Sequence, residues 1–587
     1  MRKDRTREVK RLLVVLIVWI LCFCWGATWS QAAEFKFVVW GDSQFQNPDT
    51  FERIVEETAL LKPALVIHVG DMIHGYTYNP DTARREWKRF KKQIAPLSAP
   101  FYPTPGNHDV TTTAIEPVYA EVWGGDHYYY SFDYANSHFI VLDTFLNMDE
   151  EADKIPQREL EWLQNDLEKH KDAENIFISF HSPLYLNEKY DWQPIHNLLV
   201  QYPVRAIFTG HYHIYDYRVK DTISYFCINS SGYMNYYNHL IGQSYHFVVV
   251  SVDGSEITYA VVTDGRIYPA DAVPPGESSK ASKYLEEEKT IAIPDPSRKK
   301  IREKAYVPVR NRTDEERQFL LTWETEDYRW RFKPWGANFT LAPGEEKRVE
   351  FRISGPRGNF VRSELPRLRI DSPFTNGAGW KTTLTYYYHL FHPPETSARR
   401  LKGMLEFDGK IDDPVWKGVP EIDRFFLDDK GTPAPETTIV KVLYDQKNLY
   451  VGIRGEEPNP GGLSTLAHGK LPLVFSDDDF ELYFDTNRDL KTYYRLMVNP
   501  AGTVLCSGPG GLFSFTFDVR THVGENYWSA EFKIPFSELH TSVPKKHAVW
   551  GFNVRRHRQQ AEPPQRDWSK MLNVPYQPPY FGLLRFN

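Results

Sequence analysis

Five short polar segments in the first half of the chain carry side chains able to bind cations and move protons. They are Gly41-Asp42-Ser43-Gln44, Gly70-Asp71-Met72-Ile73-His74, Gly106-Asn107-His108-Asp109, His181-Ser182-Pro183 and Gly210-His211-Tyr212-His213. Asp, Asn and His offer oxygen and nitrogen donors suited to Mn, Fe, Zn or similar divalent ions. A glycine ahead of the key residue lets the chain turn tightly and brings backbone close to a metal or phosphate. One such segment is an ordinary turn. Five in this order, each after an apolar strand, point to a two-metal site.

The elements that must position these segments are legible in the hydrophobic pattern. Strands are expected at 35–40, 64–69, 101–104, 139–142, 176–180 and 206–208, with amphipathic helices at 51–61, 82–94 and 157–171. Repeated strand–helix–strand units predict an α/β layered fold, in which ligands gather where the strands end. His68 lies inside a strand and reads as a core residue. A hairpin turning at Asp253-Gly254 closes this unit, assigned to residues 34–268.

The remainder is organised differently. Residues 269–304 are rich in Pro, Ser, Glu and Lys and read as a linker with a helical patch near 282–289. Short strands and turns over 305–392 suggest an immunoglobulin-like β-sandwich without a catalytic cluster. Residues 401–587 are again all-β. The expected fold class is therefore an α/β catalytic domain followed by two all-β sandwich domains.

Hydrophobic residues at 41% and charged residues at 25% exclude a disordered chain. Residues 1–33 hold a basic stretch, an apolar run over 12–29 and the small residues Ser30, Ala32 and Ala33. That is the pattern of a cleaved signal peptide, with an uncleaved membrane anchor as the alternative. Either would place the body in the periplasm, in the medium or on an outer membrane face. Beyond residue 33 the chain has 64 Lys and Arg against 75 Asp and Glu, a net charge of −11. Such a body is unsuited to general nucleic-acid binding. Cys227 and Cys506 are expected as two separate buried thiols.

Residues 34 to about 265 resemble the calcineurin-like metallophosphoesterase family, whose pattern is Asp-x-His, Gly-Asp, Gly-Asn-His-Asp/Glu, a lone His and Gly-His-x-His. The resemblance implies Asp42 and His213 on a first metal, Asn107, His181 and His211 on a second, and Asp71 bridging both. His108 corresponds to the family's non-ligand histidine, which faces the phosphoryl oxygen and leaving group. Asp109 is expected to hold the His108 tautomer, or else to cap a turn. Gln44 departs from the family, standing where a His is usual and offering a neutral, weaker donor. His74 is a candidate substitute, the alternative being a hydrogen-bonding role around the ligands. The related purple acid phosphatases lack that first His and place a Tyr ligand at the spacing of His74.

Most of 401–587 resembles the family 9 carbohydrate-binding modules, through Phe407-Asp408-Gly409-Lys410-Ile411-Asp412-Asp413-Pro414-Val415-Trp416, Tyr527-Trp528-Ser529-Ala530-Glu531-Phe532 and Tyr580-Phe581-Gly582-Leu583. Family members hold sugars between aromatic rings, which makes Trp550 and Trp568 candidate rings, although a single Trp more often belongs to the core. The run Asp477-Asp478-Asp479 reads as a solvated loop, with calcium binding as the alternative.

These expectations combine into an exported phosphoesterase with two divalent metal ions, hydrolysing a phosphomonoester or phosphodiester by metal-activated water. The expected substrate is a phosphorylated small molecule or a phosphorylated glycan or envelope polymer. Carbohydrate is the second expected partner, nucleic acid is not expected, and membrane contact would come only through an uncleaved 12–29. The alternative is a glycan-binding or adhesion protein with an inactive phosphoesterase-like domain, which Gln44 alone favours.

Overall fold

The computed structural model describes residues 34–587 except 45–47, 126–127, 146–153, 233–237, 264, 285–288, 429, 469–471, 562 and 570–576. The expected signal or anchor lies outside the described residues. Among those described, no helix is long and apolar enough to cross a membrane.

The first twelve strands are β1 (Phe35–Trp40), β2 (Leu65–His68), β3 (Phe101–Pro103), β4 (Tyr130–Tyr134), β5 (Ser137–Val141) and β6 (Asn175–Ser179). They continue with β7 (Val204–Thr209), β8 (Asp216–Lys220), β9 (Ile223–Cys227), β10 (Phe247–Asp253), β11 (Glu256–Thr263) and β12 (Arg266–Pro269). Two six-stranded sheets result, ordered β12-β11-β10-β1-β2-β3 and β4-β5-β6-β7-β9-β8. Strands β1, β2 and β3 run parallel, as do β5, β6 and β7.

The two sheets pack face to face. Phe37 and Val39 of β1 meet Phe139, Phe177 and Phe208 between the sheets. Val38 and Trp40 point the other way, toward Phe51 and Ile54 of helix Pro48–Leu61 and Trp87 and Phe90 of helix Pro80–Gln93. On the far side, Ile140, Ile178 and Ile207 pack under Leu163 and Leu167 of helix Gln157–Lys169. The layers are helix, sheet, sheet, helix. Strands buried on both faces must be apolar at consecutive positions, which is why β1 reads as a continuous run. Each fully buried Phe or Val contributes about 1.5–3 kcal/mol. Helix Pro80–Gln93 starts sharply because Asn79 Oδ1 accepts from the N–H groups of Asp81 and Thr82 and Pro80 follows it.

The segment expected as a linker is built into the fold. Helix Glu277–Tyr284 comes earlier than the expected patch, and strand Lys289–Ala292 pairs in parallel with strand Lys381–Phe391. Glu277 Oε2 accepts from the Gly377 N–H. Composition could not reveal this, because the partners lie far along the chain. Beyond it, a five-stranded and a three-stranded sheet enclose Leu321, Trp323, Trp330, Phe351 and Leu368.

The last β unit encloses a core containing Val442, Val451, Phe480, Leu482 and Trp528. Trp550 and Trp568 are 4% and 5% exposed in this same core, so neither is a stacking surface for sugar. The acidic run is not a solvated loop either, since Asp477, Asp478 and Asp479 are all buried. Asp477 accepts from Ser464 Oγ, the N–H groups of Leu466 and Ala467, and Asn499 Nδ2. Asp478 accepts from the Ser464 N–H, and Asp479 begins strand Asp479–Asp485. Asp477 and Asp478 brace a loop from within.

All three units touch one another. Asn376 Nδ2 donates to the carbonyls of Leu240 and Ala272, the Thr290 hydroxyl donates to the Pro579 carbonyl, and the Tyr78 hydroxyl donates to the His468 carbonyl. Cys227 and Cys506 are free, buried thiols.

Candidate metal centre

The polar segments follow the C-terminal ends of β1, β2, β3, β6 and β7, and the two sheets bring these ends to one edge. Backbone bonds fix their spacing, for example from the Ser43 N–H to the Asp71 carbonyl at 2.9 Å and from the Gly210 N–H to the His181 carbonyl at 2.9 Å. Asp71, His211 and His213 have φ of 60°, 69° and 51°. Each such non-glycine residue costs about 1–3 kcal/mol, a strain that persists where surrounding structure enforces it and that clusters at functional sites. Gly70 needs its own φ of 108°, and a β-carbon there would lie 2.4 Å from His181 Nδ1.

Two groups of three donors share one carboxylate. Asp71, His181 and His211 form one, and Asp42, Asp71 and His213 the other, each with ligand atoms within 4.8 Å of one another. His181 Nε2 lies 3.1 Å from Asp71 Oδ2, and His213 Nε2 lies 2.6 Å from Asp42 Oδ2. Asn107 Oδ1 joins the first group, 3.1 Å from His181 Nε2 and 2.9 Å from His211 Nδ1. His181 Nδ1 is held by the Val69 carbonyl at 2.7 Å, which directs Nε2 into the centre.

Electrostatically the centre calls for positive charge. Asp42 and Asp71 are 0% and 2% exposed, and their ion-pair partners are histidines. Burial opposes the charge of Asp42, yet His213 and His181 hold its carboxyl below the usual range. Burial likewise opposes the charge of Asp71, and His181 and His108 hold its carboxyl far below that range. Burial works to lower His181, but the two carboxylates push it up to about 9. Isolated buried carboxylates would each cost several kcal/mol, a cost that bound cations offset. The buried Gln44 Oε1 also has no hydrogen-bond partner among the described residues. The donor set therefore fits two divalent ions: Asp42 and His213 would hold one and Asn107, His181 and His211 the other, with Asp71 belonging to both donor groups.

Gln44 reaches the shared carboxylate through its amide, Nε2 donating to Asp71 Oδ2 at 2.8 Å. The His74 side chain is not among those brought together. Its ring centre stands 6.1 Å from that of His108, and its carbonyl binds His108 Nδ1 at 2.5 Å. That carbonyl, and not Asp109, orients His108. The Asp109 carboxylate is wholly buried and accepts from the N–H groups of Asp71, Met72, Ile73 and Gly106 at 2.9–3.2 Å. Burial and the neighbouring Asp71 push its carboxyl up to about 8. It ties the two Gly-started loops together. His108 leaves its Nε2 3.9 Å from Asp71 Oδ2, and burial lowers its pKa despite that charge.

Sequence reasoning missed Tyr76, whose hydroxyl accepts from Asn107 Nδ2 at 2.8 Å and whose ring meets His108 edge-on at 4.4 Å. Nothing in its local spacing marks it. Phe145, 5.5 Å from His181 and 5.2 Å from His211 between ring centres, was equally hidden. His68 is a core residue as expected, pushed down to about 3 by burial and bracing Ser43 Oγ at 2.9 Å.

Residues 35–215 match the family described as calcineurin-like phosphoesterase, and residues 407–584 match the carbohydrate family 9 binding domain-like family. The chain thus carries a calcineurin-like metallophosphoesterase domain and a C-terminal family 9 carbohydrate-binding-like domain. Among curated relatives, Purple acid phosphatase 22 of Arabidopsis thaliana is 27% identical over 171 residues, covering 25% of this chain and 37% of the relative. Acid phosphatase type 7 of Homo sapiens is 29% identical over 172 residues, covering 27% of this chain and 37% of the relative. The chain spans little more than a third of the length of either. A solved carbohydrate binding module family 9 from Caldicellulosiruptor kristjanssonii, in complex with cellotriose, is 17% identical with a TM-score of 0.26, covering 33% of this chain and 93% of that one.

Proposed function

We propose that this protein is an exported hydrolase of phosphate esters that works with two divalent ions, Mn, Fe or Zn. The observation that carries the reading is Asp71, one buried carboxylate common to two donor groups. Such ions, when bound, polarise a phosphoryl oxygen and make water nucleophilic near neutral pH. The chain's own residues supply the rest. Asp42, Asp71, Asn107, His181, His211 and His213 would hold the ions, and the loop tied down by Asp109 keeps Asp71 in place. His108 stands beside them with Nε2 open toward the centre, able to stabilise charge on the phosphoryl group or donate a proton to the departing oxygen. Export rests on the basic, apolar and small-residue pattern of residues 1–33, and carbohydrate binding on the family of the C-terminal domain.

Metal analysis of the purified full chain, followed by assays with para-nitrophenyl phosphate and bis-para-nitrophenyl phosphate, tests the reading. We expect close to two ions per chain and turnover of at least one of the esters. A chain that holds metal and hydrolyses neither would favour a binding protein instead. A mature N-terminus at Ala33 or Glu34 in mass spectra would support signal cleavage, and an intact Met1 in membrane extracts would support the anchor.

A further inference from the structure

A wide cleft lies at one end of the middle β unit. Strand Arg317–Glu324 ends there, strand Arg367–Thr375 begins and strand Lys381–Phe391 ends, so Glu324, Arg367 and His389 are cross-strand neighbours. These three, with Trp335 and the segments around 325–329 and 359–365, line a space of about 1270 Å³. A site for one small molecule encloses roughly 300–1,000 Å³, so the cleft has room for several linked rings. An adjoining cavity of about 640 Å³ reaches the C-terminal domain, where Asp423, Arg424 and Phe426 line it. Asn359, Phe360 and Leu365 border both spaces.

The walls are held by the core. Trp335 stands between strand Arg331–Lys333 of one sheet and strand Gly336–Leu341 of the other. Its carbonyl accepts from the Trp323 N–H at 3.3 Å. Phe332 meets its ring edge-on at 5.5 Å and is itself stacked on the buried Trp323 at 4.0 Å. The indole is nevertheless 48% exposed. Across the cleft, Phe360 rests 5.8 Å from the buried Trp330, between ring centres. Its segment is tied down by the Gly358 N–H on the Pro296 carbonyl at 2.9 Å and the Val361 N–H on Glu364 Oε2 at 3.0 Å. A large ring held rigid and left wet costs little entropy when a ligand settles on it. Loops at the end of a rigid sandwich are also where such folds bind.

Charge narrows the choice of ligand. Glu324, Glu326, Asp327 and Glu364 share the lining with Arg329 and Arg367. Both guanidinium groups are already engaged, Arg367 Nε with Glu324 Oε2 at 2.8 Å and Arg329 with both oxygens of Asp327 at 2.9 and 2.7 Å. A polyanion would meet uncompensated negative charge here. We propose that this groove binds an uncharged oligosaccharide chain, with Trp335 beneath the C–H face of a sugar ring and the exposed Glu326 and Asn359 bonding its hydroxyls. The adjoining cavity carries the groove into the domain matched to a carbohydrate-binding family, whose own tryptophans, Trp416, Trp528, Trp550 and Trp568, are all buried. The middle unit, outside both matched ranges, supplies the exposed platform instead. No residue of the metal centre takes part, so the groove does not depend on the phosphoesterase reading.

Isothermal titration calorimetry of the full chain with cellohexaose, mannohexaose, xylohexaose and laminarihexaose tests this. At least one should bind with a Kd below about 1 mM. The matching trisaccharide should bind more weakly, because it fills only part of the groove. Trp335→Ala should weaken the hexasaccharide at least about 10-fold, as loss of a central aromatic anchor does, and Trp335→Phe should recover part of that loss. Asn359→Ala removes an exposed side chain and should weaken binding about 3-fold, which keeps the test decisive if Trp335→Ala folds poorly. No binding of any hexasaccharide would overturn the groove. So would affinity unchanged in both alanine variants, which would put the sugar elsewhere on the chain. Polygalacturonate bound more tightly than every uncharged hexasaccharide, and lost in Trp335→Ala, would overturn the ligand class. Turnover of para-nitrophenyl phosphate bears on the metal centre alone and should be the same in Trp335→Ala as in wild type.

Discussion

Gly210 stands so close to Asp42 that a β-carbon on it would lie 2.4 Å from Asp42 Oδ1. The neighbouring His211 N–H donates to that same oxygen at 3.2 Å. The sheet carrying β7 thus holds a ligand of the sheet carrying β1 through bare backbone. Gly210→Ala should displace the Asp42 carboxylate and reduce metal content toward a single ion per chain, with a folded protein by circular dichroism. Two ions retained at wild-type affinity would show that the loop yields without disturbing Asp42.

Asp71 and His108 should separate in their effects. Asp71 belongs to both donor groups, so Asp71→Asn should lose metal and activity together. His108 is oriented by the His74 carbonyl and touches no ligand group through its ring nitrogens at hydrogen-bond distance. His108→Ala should keep both ions and lose about 10²–10⁴-fold in turnover. The loss should shrink for esters with very acidic leaving groups, which need no proton. Loss of metal in His108→Ala would make it a ligand.

Gln44 and His74 differ in the same way. Gln44 already touches Asp71, so Gln44→His should place a stronger donor at the centre and raise metal retention during dialysis. His74→Ala removes a ring that stands outside the donor groups while keeping the carbonyl that orients His108. Its metal content should equal that of wild type. A fall to one ion per chain would return His74 to the ligand set.

A second histidine cluster lies on the far sheet. His138 is 1% exposed, with Nδ1 2.7 Å from Asp133 and Nε2 2.8 Å from Asp166. Burial works to lower its pKa, but the two carboxylates raise it above the ordinary value. Each ring nitrogen faces a carboxylate oxygen, an arrangement that suits a doubly protonated imidazole better than a metal ligand. Because the folded pKa exceeds the unfolded value of about 6.5, the stabilisation is fully present below that pH and is lost as pH rises through the folded pKa. His138→Gln should therefore lower the thermal midpoint more at pH 6 than at pH 9. An equal drop at both would show that the ring acts by packing alone.

Much of the phosphoesterase-family half was legible from the chain. Strands buried on both faces show as apolar runs, and the turns after β1, β2, β3 and β7 show as Gly followed by Asp, Asn or His. Both signals are local, so they survive without the fold. The candidate donors that the fold brings together, and the layered α/β class, followed from them. What local pattern cannot carry is direction and distance between remote segments. Asp109 was expected to orient His108 or else to cap a turn; four backbone N–H groups from two loops claim its carboxylate, and those loops meet only after the sheet forms. The acidic run looked solvated because acidic runs usually are, but Asn499 and a loop beginning at Ser464 bury it.

The sequence by itself determined which donors exist and that each follows a strand, since hydrophobic period and turn chemistry are properties of neighbours in the chain. Only the tertiary structure decided that Asp71 is shared by two groups, that a His74 carbonyl holds His108, and that Phe475 stands against Tyr76. Each of these depends on which surfaces separate elements bury against one another. That choice is made by packing across the sheets and between domains, where the separation of residues along the chain conveys no geometry.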